Sequence, residues 1–142
     1  MRLLVDTNIF LDCLFKRKGL WESSFNFLKK SRFDYKDKIY VNVSTFKDIY
    51  YFCKKMTHNN KEAMQYISDI YCNITKVVSS DTDDFILSLY EEGDFEDNML
   101  IKSASRTMCD AIITRNIKDF SNKEMNCFTP EEYLFYRQKS TE

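Results

Sequence analysis

Arg2-Leu3-Leu4-Val5-Asp6-Thr7-Asn8 is the stretch on which the fold turns. Leu3, Leu4 and Val5 are consecutive apolar residues, whereas a strand with one face in water would alternate apolar with polar. The run therefore predicts a short strand covered on both faces, as in a buried parallel sheet. Asp6-Thr7-Asn8 ends it with short polar side chains that satisfy the free N–H groups of a helical first turn. A helix over residues 9–15 follows. Another begins after Gly19, with Trp21, Phe25 and Leu28 at helical spacing.

The same alternation repeats along the chain. Residues 39–43 predict a second strand, and Ser44 or Thr45 then caps a helix whose Phe46, Ile49, Tyr50 and Cys53 form one apolar stripe. A helix after Asn59-Asn60 carries Met64, Ile67 and Tyr71 on its inner face, and residues 74–78 form a third strand. Ser80-x-x-Asp83 opens a helix with Ile86, Leu89 and Tyr90 inward. Residues 94–107 form a strong helix with Leu100, Ile101, Ala104 and Met108 on one side. Residues 111–114 give a fourth strand and Asn126–Phe128 a fifth. Thr129-Pro130-Glu131-Glu132 combines a cap, a first-turn proline and a glutamate three residues past the cap, which starts a terminal helix. Strands alternating with helices predict an α/β protein: a three-layer α/β/α sandwich around a central, mostly parallel sheet of four to five strands. Residues 1–142 are expected to form a single domain.

Composition narrows the functional classes. Two Gly and one Pro are too few for a sandwich or barrel built on many tight turns. With 21 basic and 22 acidic residues the formal net charge is −1, which excludes holding nucleic acid by bulk charge. Five scattered cysteines without a C-x-x-C pair, and one histidine, leave a Cys/His zinc site almost without ligands. His58 lies in the polar stretch Thr57-His58-Asn59-Asn60, which reads as a loop. No apolar run approaches the ~18 residues that span a bilayer, and no charged-then-apolar leader opens the chain. A soluble protein of a reducing cytoplasm, with no membrane partner, is the expectation.

Ligands of open parallel sheets sit outside the carboxyl ends of the strands. Asp6 ends the first strand, and Thr114-Arg115-Asn116 ends the fourth. Asp48 lies near the start of the helix after the second strand. Asp94, Glu96 and Asp97 occupy the first turn of the long helix before the fourth. Asp97 precedes Leu100, Ile101 and Ala104 at three, four and seven residues, so it sits at the mouth end of that helix's buried face. Carboxylates gathered at one edge repel one another and call for a hard, oxygen-liganded cation such as Mg²⁺ or Mn²⁺. Such a cation suits phosphodiester hydrolysis. Each residue also has a plainer role: Asp6 and the acids near residue 94 as helix-terminus residues, Asp48 as a surface acid, Asn116 as a turn residue. Lys16-Arg17-Lys18 is either a solvated helix end or an RNA-backbone contact.

Leu4-Val-Asp6-Thr-Asn8-Ile-Phe-Leu-Asp12 resembles the opening of PIN domains. Asp94-Phe-Glu-Asp97, followed by Asp110-Ala-Ile-Ile-Thr-Arg-Asn116-x-x-Asp119-Phe120, resembles their third and fourth motifs, and Phe128-Thr-Pro-Glu-Glu-Tyr133 their ending. By this resemblance Asp6 matches the first metal ligand and Asp97 the third acid, while Asn116 falls where the family has a fourth Asp or Asn. Asn8 and Thr7 match the polar pair after the first acid, and Thr114 matches the Ser/Thr of the fourth motif. Asp48, in Ser44-Thr-Phe-Lys-Asp48-Ile, stands where Glu is usual and is one methylene shorter. Asp94 is an extra acid that many relatives share.

The resemblance implies an endoribonuclease dependent on Mg²⁺ or Mn²⁺, similar to the toxin of VapBC-type toxin–antitoxin pairs. Asp6, Asp48, Asp97 and Asn116 would carry the reaction. Asp6, Asp48, Asp97 and Asp94 would hold the metal, with Asn8 and Thr114 orienting them from behind. An RNA substrate, a cognate antitoxin and a homodimer are the implied partners. Trp21, Phe25, Phe27 and Phe33, together with the helix near residues 50–56, are the expected dimer face. The alternative is a catalytically weakened PIN domain acting as an RNA- or protein-binding module. A haloacid-dehalogenase-like phosphatase also starts with a strand and Asp, but needs a second Asp where this chain has Asn8.

Overall fold

The computed structural model describes residues 1–120 and 124–140; the Asp119 side chain quoted above lies outside the described set. In chain order the elements are β1 (Arg2–Val5), α1 (Thr7–Leu14), α2 (Trp21–Phe33), β2 (Lys38–Asn42), α3 (Val43–Thr57), α4 (Asn60–Cys72) and β3 (Lys76–Val78). Then come α5 (Thr82–Leu89), α6 (Phe95–Arg106), β4 (Ala111–Ile113), α7 (Ile117–Phe120), β5 (Asn126–Phe128) and α8 (Pro130–Ser140).

The five strands are all parallel, in the order β3-β2-β1-β4-β5, which puts β1 in the middle. Leu3 pairs with Ile39 on one side and Ala111 on the other. Successive strand side chains point to opposite faces, and β1 uses both. Leu3 and Val5 join a core with Ile9, Phe27, Ile49 and Tyr133, whereas Leu4 packs with Tyr40, Ile101, Ala104 and Ile112. Helices thus cover both faces, and this is why β1 reads as a continuous apolar run instead of an alternating one.

Several local expectations shift for identifiable reasons. The cap of α3 is Asn42, the last residue of β2, whose side chain accepts from the Ser44 amide at 2.9 Å. In α4 the inward stripe is Ala63, Ile67 and Ile70, leaving Met64 (55%) and Tyr71 (61%) exposed. The small Ala63 side chain allows α4 to pack closely on α3.

α5 is turned the other way round from its sequence reading. Its buried residues are Asp84 and Ser88, while Ile86, Leu89 and Tyr90 face outward. Asp81 and Asp84 form a reciprocal capping box, and Arg106 of α6 bonds both Asp84 oxygens as well as Asp81 and the Ser79 carbonyl. A charged, hydrogen-bonded inner face holds α5 against α6, so its apolar residues are left outside.

The carboxyl end of β4 is tied to three helices by Arg115. Its Nε donates to Asp12 of α1 at 2.9 Å, and its Nη1 donates to Glu131 of α8 at 2.7 Å. Its Nη2 donates to the Leu20 carbonyl at 3.0 Å and to Ser23 and Ser24 of α2. Asp12 is fully buried, with Ser24 donating to it at 2.8 Å. A second buried acid, Asp37, accepts from the N-terminal ammonium, Tyr133 and Arg137, closing the amino-terminal end of the sheet against α8.

Removing one partner of a buried pair strands the other without compensation. Asp12→Ala is therefore expected to cost about 3–5 kcal/mol in urea unfolding. Arg17 lies 3.5 Å from Asp12 and is partly exposed, so Arg17→Ala should cost no more than about 1 kcal/mol. Equal losses in the two variants would contradict Arg115 as the cation that holds Asp12.

Candidate active site

Asp6 follows β1 and caps α1. Its Oδ1 accepts from the Thr7 amide at 2.7 Å, and its Oδ2 accepts from the Thr114 hydroxyl at 2.8 Å. Thr114 is fully buried, and its oxygen also accepts from the Asn116 amide at 3.0 Å. The single hydroxyl hydrogen is thereby directed at Asp6, which fixes the carboxylate's orientation.

Asn42 does similar work at the end of β2. While its Oδ1 caps α3, its Nδ2 donates to Ser80 after β3 and to Ser103 inside α6, each at 3.1 Å. Asn42 thus sets the start of α3, and with it Asp48, relative to α6. The first turn of α6 is set by Asp94, whose Oδ1 accepts from the Asp97 amide at 3.0 Å. Asn98, buried, donates to the carbonyls of Glu91 and Glu92 and pins the preceding turn.

These supports open one cavity of about 450 Å³ at the carboxyl ends of β1, β2 and β3. Asp6, Asp48, Glu96 and Asp97 line it, alongside Thr7, Asn42, Lys47 and Ser80. Three of the acids predicted as ligands therefore share one space. Asp94 does not line it: that residue is exposed and its carboxylate is engaged in capping α6. Asn8 accepts from Arg17 at 2.9 Å. Asn116 is exposed, and its amide leans on Thr114. Glu96 and Asn42 are site residues that the motif reading left out. Glu96 was visible as a first-turn acid beside Asp97, and Asn42 as an Asn two residues before a helical Ser, a capping pattern.

Burial raises the Asp6 carboxyl above its ordinary value, against the pull of its bonds from Thr114 and Thr7. Asp48 is raised as well, first by burial, then by the charges of Glu96 and Asp6, with Lys47 acting the other way. Among the described residues, no three His, Cys, Asp or Glu side chains stand close enough together to hold a metal ion. The acids line the cavity without closing on one another. The donor set is nonetheless carboxylate oxygen in a partly desolvated space, which fits a hard divalent cation and not a soft one.

The Thr114 bond stabilises the ionised form of Asp6, so removing it disfavours the charge. Thr114→Val, which keeps the buried shape, should shift the Asp6 titration to higher pH in a carbon-13 carboxyl NMR titration. An unchanged or lower midpoint would mean that the hydroxyl does not govern this carboxylate.

The fold has counterparts among solved structures. VapBC-1 from nontypeable Haemophilus influenzae is similar over 92% of this chain and 99% of that one, with a TM-score of 0.68 at 14% identity. VapBC2 from Rickettsia felis, bound to a DNA fragment from the promoter, is similar over 91% and 98%, with a TM-score of 0.67 at 14% identity. A toxin–antitoxin complex from Klebsiella pneumoniae covers 90% and 97%, with a TM-score of 0.63 at 20% identity. No curated protein matches the chain. At these identities the solved structures speak for a shared fold. The PIN domain family, in contrast, matches the sequence itself over residues 2–118, from the first strand through Asn116, and the chain belongs to that family.

Proposed function

We propose that the protein is an endoribonuclease dependent on Mg²⁺ or Mn²⁺, and the toxin of a toxin–antitoxin pair. The observation that carries this reading is the convergence of Asp6, Asp48 and Asp97 on one cavity, with Asp6 aimed by a buried hydroxyl. Asp6, Asp48 and Asp97 would hold the cation. Glu96 lines the same cavity, whereas Asp94 serves it indirectly by capping α6. When bound, the cation supplies Lewis acidity at the scissile phosphate. The chain itself contributes the fixed orientation of Asp6 and the placement of α3 against α6 through Asn42.

Two exposed apolar surfaces suit the partners of such a toxin. One is a groove of about 450 Å³ between α1, α2 and α4, lined by Phe10, Leu14, Phe25, Phe33, Ile70 and Ile74. Its concave shape suits an inserted segment of an antitoxin, and the similar structure from Klebsiella pneumoniae is a toxin–antitoxin complex. The other is the outward face of α5, where Leu87 and Tyr90 are exposed, Tyr90 at 85%. This exposed apolar face suits a second copy of the chain. Of the dimer face expected from the sequence, Phe27 is wholly buried against Tyr133, and Phe25 and Phe33 open onto the groove. Tyr51, Phe52 and Met56 of α3 are exposed, so that part of the expected face is available to a second copy as well.

Asp6→Asn tests the metal reading. A raised Asp6 penalises the folded state once pH exceeds its folded value, and the penalty is relieved as pH falls toward the unfolded value. At neutral pH the Asn variant loses that penalty and still caps α1, because Asn caps about as well as Asp. Without metal it should melt no lower than wild type. Adding Mn²⁺ should raise the wild-type melting temperature by mass action and barely move the variant. RNA cleavage should fall by orders of magnitude. If stability, metal response and cleavage all stay at wild-type values, Asp6 is only a cap, and the binding-module reading takes precedence.

The partner surfaces have their own tests. A small DNA-binding protein encoded by the adjoining reading frame should co-purify with wild type but not with a Phe25→Asp/Phe33→Asp variant. Light scattering at tens of micromolar should give a dimer that Leu87→Asp converts to monomer. A wild type that is strictly monomeric at that concentration would remove the dimer.

A further inference from the structure

The acidic cavity poses an electrostatic problem that Lys47 on its lining offsets only in part, against four carboxylates. A phosphate backbone approaching Asp6, Asp48, Glu96 and Asp97 is repelled, and a chain of net charge −1 offers no general attraction. The approach must be favoured locally.

Lys16-Arg17-Lys18 lies in the turn between α1 and α2, and the structure folds that turn back to the edge that carries the cavity. Two tethers do this. Arg17 Nη1 donates to Asn8 at 2.9 Å, two residues beyond Asp6. Arg115 Nη2 donates to the Leu20 carbonyl at 3.0 Å, one residue beyond the Thr114 that holds Asp6. Within the turn, the Leu20 and Trp21 amides donate to the Arg17 carbonyl, and Lys16 (φ 45°) and Gly19 (φ 77°) adopt left-handed backbone. The turn is therefore built and not merely a frayed helix end. Lys16 and Lys18 are exposed, and the Lys16 ammonium lies 5.9 Å from the centre of the half-buried Trp21 ring. Arg17 is engaged by Asn8 and Asp12, and exposed Glu22 is the acid in the first turn of α2 to set against the two lysines. Cations beside a partly open aromatic face are the combination that holds single-stranded nucleic acid, by phosphate contact and base stacking.

We propose that Lys16, Lys18 and Trp21 form a docking track that delivers single-stranded RNA to the acidic cavity. The lysines contact backbone phosphates and Trp21 stacks on a base, while Arg17 holds the turn in place through Asn8. The proposal rests on the nuclease reading and names how that site takes its substrate.

Trp21 is the only tryptophan, so its fluorescence reports on the track directly. The Asp6→Asn protein, titrated with an unstructured uridine oligomer at several salt concentrations, should show saturable quenching. Adding Lys16→Gln and Lys18→Gln should weaken binding roughly tenfold and lower the salt slope by about 1.4, at about 0.7 per phosphate contact on a single strand. The melting temperature should not move, since both lysines are exposed. Trp21→Phe, followed by anisotropy of labelled RNA, should weaken binding several-fold with the slope retained. Unchanged affinity and slope in the lysine variant would overturn the track, even where the wild type cleaves RNA with Mn²⁺. A wild type that does not cleave RNA, with an Asp6→Asn protein that does not bind it, would remove the nuclease reading and the track together.

Discussion

Two consecutive side chains at the end of β4 organise the working edge of this protein. Thr114 turns inward and donates to Asp6, while Arg115 reaches across to Asp12, Glu131 and the start of α2. Both depend on β4 lying directly beside β1 in parallel register, with Val5 opposite Ile113. That register carries the two strand ends to the same level, so Thr114 meets Asp6 and Arg115 meets the helix that Asp6 caps. The carboxylate at the centre of the cavity is therefore oriented by the same strand end that locks three helices in place.

The protein treats its acids in two ways. Asp12, Asp37 and Asp84 are buried and each has an arginine within hydrogen-bonding distance, so their charges are compensated where desolvation is most costly. Glu131 follows the same pattern at the surface. Burial works against its charge, but the bonds from Arg115 and Ser23 prevail and hold its carboxyl at about 2. Asp6, in contrast, is held by neutral donors, and Asp48 feels the negative charges of Glu96 and Asp6. Compensated acids keep the fold together, while the raised ones line the cavity.

Asp48 keeps its place on the cavity lining despite a side chain one methylene shorter than the Glu usual in the family. Asn42 ties the start of α3 to Ser103 of α6, and Glu96 supplies another carboxylate in the same space. Asp94, which the motif reading counted among the ligands, caps the turn that presents Glu96 and Asp97. A carboxylate engaged by a backbone amide at an exposed helix end serves the neighbouring acids by placing them.

The order of strands and helices, the parallel sheet and the acids at its carboxyl edge were legible in the amino-acid sequence. Each is written in local signals: an apolar run covered on both faces, a cap, a spacing of three and four residues. The terminal helix shows this well, since Thr129 and Glu132 form the reciprocal cap that their spacing predicts. What the chain alone did not show was which way faces turn and which acids share a space. α5 presents its apolar side outward because Asp84 and Arg106, 22 residues apart, claim the inner side. Asn8 is taken up by Arg17, nine residues on, and Phe27 is taken into the core by Tyr133 from the far end of the chain. Local pattern determines an element because its cause lies within a few residues. A side chain's partner is decided by contacts across the sheet, and these exist only once β1 and β4 stand side by side.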